Sequence, residues 1–309
     1  MKLISVVTGC FNEEENIGEL CSRIRAVFVE LPGYDFEIII IDNASTDGTA
    51  TVLRRLTAED PRIKVILNAR NFGHIRSGYH AFLQTKGDAA VIMASDLQDP
   101  PELIREFIAK WEEGFKAVVA VKNQSEKASL FFFLRRAYYR LVHRLAEFEI
   151  IQNFTGFGLY DRAIVDYCRN LDDPYPYFRG LISEIGLPTV RVPFVQPTRK
   201  RGFTKNNFYI LYDIAMLGIT NHSKVPLRLA TMMGFGMSLL SLLVAVGYLF
   251  YKLVFWYNFP IGLAPIIIGL FLFSSVQLFF IGILGEYIGA IHTQVLRRPH
   301  VVEKERINF

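Results

Sequence analysis

The sequence predicts an α/β domain on a mainly parallel sheet, followed by a C-terminal hairpin of two membrane-spanning helices. Three observations carry this. Short apolar runs alternate with helix-period segments over residues 3–121, the pattern of strand–helix repeats that build a parallel sheet with helices on both faces. Runs such as Glu37-Ile38-Ile39-Ile40-Ile41 are almost wholly apolar, as strands buried on both sides are. Residues 229–285, 57 in all, carry a single charge, Lys252, and one span needs about 20 apolar residues.

Composition supports a folded chain with a membrane-embedded part. Of 309 residues 51% are hydrophobic and 21% charged, which excludes a disordered protein. Three cysteines, Cys10, Cys21 and Cys168, are few, odd in number and far apart, so a disulfide framework is excluded and a reducing compartment fits. A net charge of +4 is too mild to signal nucleic acid. The apolar run at residues 3–11 is short and meets Glu13-Glu14-Glu15, unlike a signal peptide.

The elements follow in order. Strands are expected at residues 3–8, 36–41, 63–67, 89–94 and 117–121. Helices are expected at 13–31, 48–59, 75–84 and 101–113. Each of the first four strands ends in a polar cluster. These are Thr8-Gly9-Cys10-Phe11-Asn12-Glu13-Glu14, Asp42-Asn43-Ala44-Ser45-Thr46-Asp47-Gly48-Thr49, Asn68-Ala69-Arg70-Asn71-Phe72-Gly73 and Ser95-Asp96-Leu97-Gln98-Asp99-Pro100-Pro101-Glu102. Any one such loop is explained by turn chemistry, and Ser45, Thr46 and Asp47 by helix capping. Four at the carboxyl ends of neighbouring strands, where open α/β sheets bind ligands, point to a site. No GxxxxGK[ST] and no GxGxxG after the first strand is present, which excludes a P-loop and a standard dinucleotide fold. The acidic residues suggest instead a divalent cation holding a diphosphate, since Mg²⁺ takes one or two carboxylates plus substrate phosphates. Asp96 and Gln98 are spaced to reach one ion. Asp99 is either a further ligand or an N-cap before Pro100-Pro101. Asp42 is placed to accept a hydrogen bond from a base or sugar.

The spans are expected near 229–256 and 263–285. Between them lies Tyr257-Asn258-Phe259-Pro260-Ile261-Gly262, where Pro and Gly stop a helix. Lys224 and Arg228 precede the first span, Arg297, Arg298, Lys304 and Arg306 follow the second, and the turn has no Lys or Arg. The positive-inside rule then places both chain termini in the cytoplasm. Residues 206–222 read equally as an interfacial amphipathic helix or as a helix packed on the soluble domain. The expected division is 1–205 catalytic domain, 206–228 juxtamembrane helices, 229–290 the two spans, and 291–309 a cytoplasmic tail.

The quoted loops, with Gly218-Ile219-Thr220, Val225-Pro226-Leu227-Arg228, Gly285-Glu286-Tyr287-Ile288-Gly289 and Arg297-Arg298-Pro299, resemble glycosyltransferase family 2 over nearly the whole chain. Within it the resemblance is to polyprenyl-phosphate glycosyltransferases, the dolichyl-phosphate mannose synthases and bactoprenol glucosyltransferases. It implies a Rossmann-like nucleotide-sugar transferase domain of the GT-A type. It also implies that Thr8, Asn12, Glu13, Asp42, Asn43, Arg70, Asn71, Gly73, Ser95 and Asp96 hold the nucleotide sugar, and that Asp96 and Gln98 hold Mg²⁺ or Mn²⁺. Two departures stand out. Ala94 replaces the first aspartate of the DXD element, and Asn43 replaces the second aspartate of the common DDGS loop.

The expected reaction is inverting transfer of a hexose, with UDP-glucose as the default donor, to polyprenyl (undecaprenyl) phosphate at the inner membrane. The acceptor's second phosphate pKa is near 6, so its oxygen is anionic at neutral pH and no strong general base is required. An anionic acceptor needs cations. Arg135, Arg136 and Arg140 lie on a predicted helix among Phe131, Phe132, Phe133, Tyr138 and Tyr139. By resemblance Arg136 or its neighbours bind the acceptor phosphate, and Arg199, Thr204 and Lys205 belong to a mobile loop near the donor diphosphate. The alternative for these basic residues is attraction to anionic lipid. Asp96, Arg136 and Lys205 are expected to carry the catalysis. His74, His80 and His143 lack metal-like spacing and read as surface or packing residues. The expected partners are a nucleoside diphosphate sugar, polyprenyl phosphate, the bilayer and further copies of the chain in a homo-oligomer such as a tetramer, with no nucleic acid. A transferase with another sugar or lipid acceptor is an alternative within the same class, and two other readings compete. A processive synthase is disfavoured because neither Trp111 nor Trp256 follows a Gln-x-x-Arg-Trp element. A non-catalytic scaffold with a degenerate site rests on Ala94.

Overall fold

A computed structural model describes residues 1–122, 151, 153–171, 173–197, 216–217, 220, 225–255 and 263–309. Eight strands form one sheet: β1 (Lys2–Cys10), β2 (Tyr34–Asp42), β3 (Ile63–Asn68), β4 (Ala89–Ile92), β5 (Ala117–Lys122), β6 (Phe154–Asp161), β7 (Thr189–Phe194) and β8 (Glu303–Ile307). The helices are α1 (Ile17–Val29), α2 (Thr49–Glu59), α3 (His74–Leu83), α4 (Ile104–Glu112), α5 (Arg162–Leu171), α6 (Phe178–Glu184), α7 (Val225–Val254) and α8 (Leu263–Leu296), with a 3₁₀ turn at Pro101–Leu103.

The strand order is β7-β5-β6-β4-β1-β2-β3-β8. The expected mainly parallel sheet is present: β1 pairs in parallel with β2 and β4, and β2 with β3. Only β6 and β8 run against the rest. The chain winds outward from β1 through β2 to β3, then returns to place β4 on the other side of β1. That reversal is the switch point beside which such sheets hold ligands.

The alternation within β2 explains its all-apolar run. Ile38 and Ile40 enter a core with Ile17, Leu20 and Ile24 of α1 and Phe107 of α4, while Ile39 and Ile41 face Ala81 of α3. Each is wholly buried. A third cluster joins Tyr79 and Phe82 of α3, Ile164 and Val165 of α5 and Leu181 of α6. Helices therefore cover both faces. All three cysteines are buried and unbridged.

The structure adds to the sequence expectation after residue 122. The segment 291–309, expected as a tail, is structured over the end of α8 and β8. Helix α8 runs on to Leu296, and the chain then returns as β8, antiparallel to β3. Val301 is buried against Val7, Ile39, Ile41 and Ile66. Bidentate Arg54–Glu305 bonds (both 2.6 Å), a 2.6 Å His80–Glu303 contact and two bonds from Asn308 to the carbonyls of Thr57 and Ile63 (2.9 Å each) fasten it. Its sequence, Glu-Lys-Glu-Arg-Ile, carries no apolar strand signal, because an edge strand against solvent needs none. Strands β6 and β7 and helices α5 and α6 are likewise not among the expected elements, and in β6 two glycines interrupt the apolar pattern. Gly158 is there because a Cβ would stand 2.4 Å from the Val118 carbonyl.

Helices α7 and α8 contain 30 and 34 residues, about 45 and 51 Å at 1.5 Å per residue. By length and composition each is able to cross a membrane, over Val225–Val244 and Leu272–Leu296. Their apolar side chains are bare: Phe235, Phe250, Leu278 and Phe279 are 72, 69, 68 and 66% exposed. The turn between them, residues 256–262, and most of the expected interfacial segment lie outside the described residues.

Candidate active site

The loops after β1, β2, β3 and β4 converge at one sheet edge. The first two are stitched together by short bonds. The Asn12 N–H donates to Ser45 Oγ at 2.8 Å, and the Thr46 N–H donates to Asn12 Oδ1 at 2.8 Å. The Glu13 N–H donates to Thr49 Oγ1 at 2.9 Å, and the Gly48 N–H to Glu14 Oε2 at 2.7 Å. Ser45 and Thr46 thus bridge loops rather than cap α2. The Ser45 hydroxyl also donates to Asp42 Oδ1, and the Ser45 N–H reaches Asp42 Oδ2 at 3.1 Å. Asp42 is buried at the tip of β2.

Three of the six described non-glycine residues with positive φ lie in these loops: Asn12, Ala44 and Leu97, at +57°, +60° and +62°. Left-handed conformations cost residues such as Ala and Leu roughly 1–2 kcal/mol, while Asn adopts them more readily, and such outliers gather at ligand-binding segments. Leu97 is also buried, so packing holds the strain in place. In the third loop Gly73 has φ +84°, a conformation glycine takes without penalty.

In the loop after β4, Asp96 Oδ1 accepts the Gln98 N–H at 3.2 Å, and Gln98 Nε2 donates to the Pro197 carbonyl at 3.3 Å. Ser95 is buried between them and β4. Asp99 does not cap the following helix; its Oδ2 reaches back to the Ala94 N–H at 2.9 Å. Burial raises its pKa to about 6, with Asp96 adding repulsion. Glu102 lies away from the chemistry. It takes a bidentate bond from Arg23 of α1 at 2.9 and 2.7 Å.

Among the described residues no three His, Cys, Asp or Glu side chains are arranged to hold an ion. The donors present are the Asp96 carboxylate and the Gln98 amide oxygen. Hard oxygen donors of that number fit a cation whose remaining ligands come from a diphosphate and water.

Thr8 is buried, with no partner for its hydroxyl among the described residues. Asn16, unread in the sequence, bonds Glu13 Oε2 at 2.6 Å and fixes that carboxylate. Arg70 stacks 3.9 Å over the Phe72 ring and donates to the Asn71 carbonyl at 3.0 Å. Arg179 was also unread. It is half-buried on α6, with Nη1 3.5 Å from the Phe154 carbonyl where β6 begins and its guanidinium 5.6 Å from the Tyr177 ring centre. Because β6 runs antiparallel to β4, that start lies at the same edge as Asp96. The residues expected to bind the acceptor phosphate, Arg135, Arg136, Arg140, Arg199, Thr204 and Lys205, lie outside the described residues, as does His143.

Residues 5–168 match the family model described as "Glycosyl transferase family 2". The chain is 35% identical to the uncharacterized glycosyltransferase YkcC of Bacillus subtilis, covering 97% of this chain and 93% of that protein. It is 32% identical to the SfII prophage-derived bactoprenol glucosyl transferase of Shigella flexneri, covering 98% and 97%. Among solved structures, glucosyl-3-phosphoglycerate synthase of Mycobacterium tuberculosis is similar at 19% identity and a TM-score of 0.49, over 71% of this chain and 78% of that one.

Proposed function

The chain belongs to glycosyltransferase family 2 and is a glycosyltransferase of the GT-A-like α/β fold, and from that premise we propose that it transfers a hexose from a nucleoside diphosphate sugar to a polyprenyl phosphate at the membrane. The observation that carries this reading is one of placement. A strained, cross-bonded set of loops ending in Asp96 and Gln98 sits at the switch point of the sheet, and the same sheet is closed by a strand that follows two bare apolar helices. The named activity of the Shigella relative, bactoprenol glucosyl transfer, supports the lipid acceptor and a glucosyl donor, and UDP-glucose is the first donor to try.

In this reading Thr8, Asn12, Glu13 and Asp42 hold the nucleoside, with Arg70 and Asn71 flanking it. Asp96 and Gln98 would hold Mg²⁺ or Mn²⁺, which supplies positive charge to the departing diphosphate. An anionic oxygen of the acceptor phosphate attacks the anomeric carbon, the bond to the β-phosphate oxygen breaks with inversion, and the nucleoside diphosphate leaves. The acceptor phosphate falls to Arg135, Arg136, Arg140, Arg199, Thr204 and Lys205, joined by Arg179. Helices α7 and α8 cross the inner membrane as a hairpin. The pairing of residues 303–307 with β3 supports a hairpin whose two ends lie on the catalytic side, which this reading takes as cytoplasmic. The domain division proposed is 1–205 with 301–309, the juxtamembrane segment 206–228, and the spans between.

The test is release of nucleoside diphosphate by the purified full chain in detergent. UDP- and GDP-sugars are screened with Mg²⁺ or Mn²⁺, with and without undecaprenyl phosphate. Release that requires the lipid and vanishes in Asp96→Ala supports the reading. Release that is indifferent to the lipid refutes the acceptor.

A further inference from the structure

Asn43 stands where the family resemblance has an aspartate, and the structure gives a reason for the amide. It is buried at the end of β2, with its own N–H bonded to the Cys10 carbonyl at 2.9 Å. Its Oδ1 accepts three donors: the Phe72 N–H at 2.8 Å, the Ser77 hydroxyl at 2.8 Å and Asn68 Nδ2 at 3.1 Å. Its Nδ2 donates to Asn71 Oδ1 at 2.8 Å. An amide oxygen has two lone pairs, so three donors leave that oxygen nothing for a ligand.

The orientation of both amides is fixed by groups that can only donate. The Phe72 backbone N–H requires an oxygen at Asn43. The Gly73 backbone N–H, 2.9 Å from Asn71 Oδ1, requires an oxygen at Asn71. Asn43 must therefore present its nitrogen to Asn71, which a carboxylate has no means to do. The bonds join the ends of β2 and β3 to the first turn of α3 through Ser77, and they hold the loop that carries Arg70. Phe72, tied to Asn43 through its N–H, offers the ring on which the Arg70 guanidinium lies.

We propose that Asn43 is a positioning residue for donor binding: without touching the nucleotide, its amide sets the conformation of residues 70–73 and so the place of Arg70. The proposal rests on the reading of Arg70 and Asn71 as nucleotide-flanking residues. It assigns the departure from aspartate at 43 to loop geometry rather than to lost metal or nucleotide chemistry.

Asn43→Asp tests the claim at one atom, because it keeps the acceptor for Phe72, Ser77 and Asn68 and replaces the donor facing Asn71 Oδ1 with a second acceptor. The measurements on the full chain in detergent are hydrogen exchange of the 70–73 amides and binding of UDP and GDP, for wild type, Asn43→Asp, Arg70→Ala and the double variant. Exchange at Phe72 and Gly73 is expected to speed up in Asn43→Asp while β1 and β2 stay protected. Affinity for the nucleotide that binds is expected to fall about tenfold, as loss of one buried polar bond allows. In the Arg70→Ala background the same change is expected to add less than about twofold, the signature of two residues acting through one contact. Unchanged exchange at Phe72 and Gly73 overturns the proposal. So does tenfold weakening that persists undiminished without Arg70. Faster exchange together with an Arg70→Ala variant that binds nucleotide normally overturns instead the assignment of Arg70, and leaves Asn43 as the residue that sets the loop.

Discussion

The backbone N–H of Ala69 donates to the carbonyl of Val302 at 2.9 Å, so the residue preceding Arg70 is held by the last stretch of the chain. Pro299 adds a second tie, its carbonyl accepting Arg76 Nη2 at 3.1 Å. Gln294 Nε2 and His300 Nε2 bind the side chain and carbonyl of Asp173 at 2.7 and 2.8 Å. The segment after α8 thus connects the apolar hairpin to the loop after β3.

Removing residues 301–309 is expected to strip the β3 edge and open the core around Val301. A chain ending at His300 should lose cooperative thermal unfolding or aggregate, since an unpaired apolar edge recruits other strands. Val301→Ala should retain the fold and cost about 2 kcal/mol, the worth of burying such a side chain. Arg54→Ala should shift the melt least of the three, because that pair is exposed and screened by water. Thermal melts of the three variants test the order.

Asn12 is expected to tolerate glycine better than alanine. Both lose the side-chain bonds to Thr46, but alanine also bears the left-handed penalty of about 1 kcal/mol or more. Nucleotide affinity should fall about tenfold in Asn12→Ala and less in Asn12→Gly. Equal loss in the two variants would show that the φ of +57° carries no cost.

Asp96→Asn should reduce sugar transfer by at least about a hundredfold, the scale of losing one charge-stabilising group, with the melting temperature within a few degrees of wild type. Ala94→Asp adds a carboxylate beside a backbone N–H already bound to Asp99. Its expected effect is a lower divalent-ion concentration for half-maximal transfer. Metal titrations of the two variants give the answer, and a higher requirement in Ala94→Asp would count against a shared ion.

Acid should weaken the fold through Glu37. Burial pushes its carboxyl pKa up, but bonds from Lys64 Nζ (2.6 Å), the Ser5 hydroxyl (2.5 Å) and the Lys86 N–H (2.8 Å) outweigh this and leave it below the ordinary value. A carboxylate with a depressed folded pKa contributes stability that is fully present above its unfolded value near 4.3 and lost as pH falls through the folded value. Glu37→Gln should cost about 2–3 kcal/mol at pH 7 and flatten the loss of stability below about pH 4. Urea midpoints across pH 3–7 for both chains check this. Parallel curves would remove Glu37 from the acid response.

The sequence by itself determined strands β1 to β5, the helices between them, the loops that carry polar residues and the two apolar helices, because each is written in local periodicity and composition. That Asp96, Gln98, Asn12 and Asp42 meet at one sheet edge was legible for the same reason: each lies in a polar loop directly after an apolar strand. What only the tertiary structure decided are pairings between distant segments. Nothing local in Glu-Lys-Glu-Arg-Ile reveals a strand, since its partner β3 supplies the register. Nothing in the second loop tells that Ser45 and Thr46 bond Asn12 rather than cap a helix. The amide of Asn43 read as a departure from an aspartate until Phe72 and Gly73, two backbone donors brought in by β3 and α3, showed which of its atoms must face which partner. Hydrogen-bond direction is a property of the pair, and the pair exists only once the chain has folded.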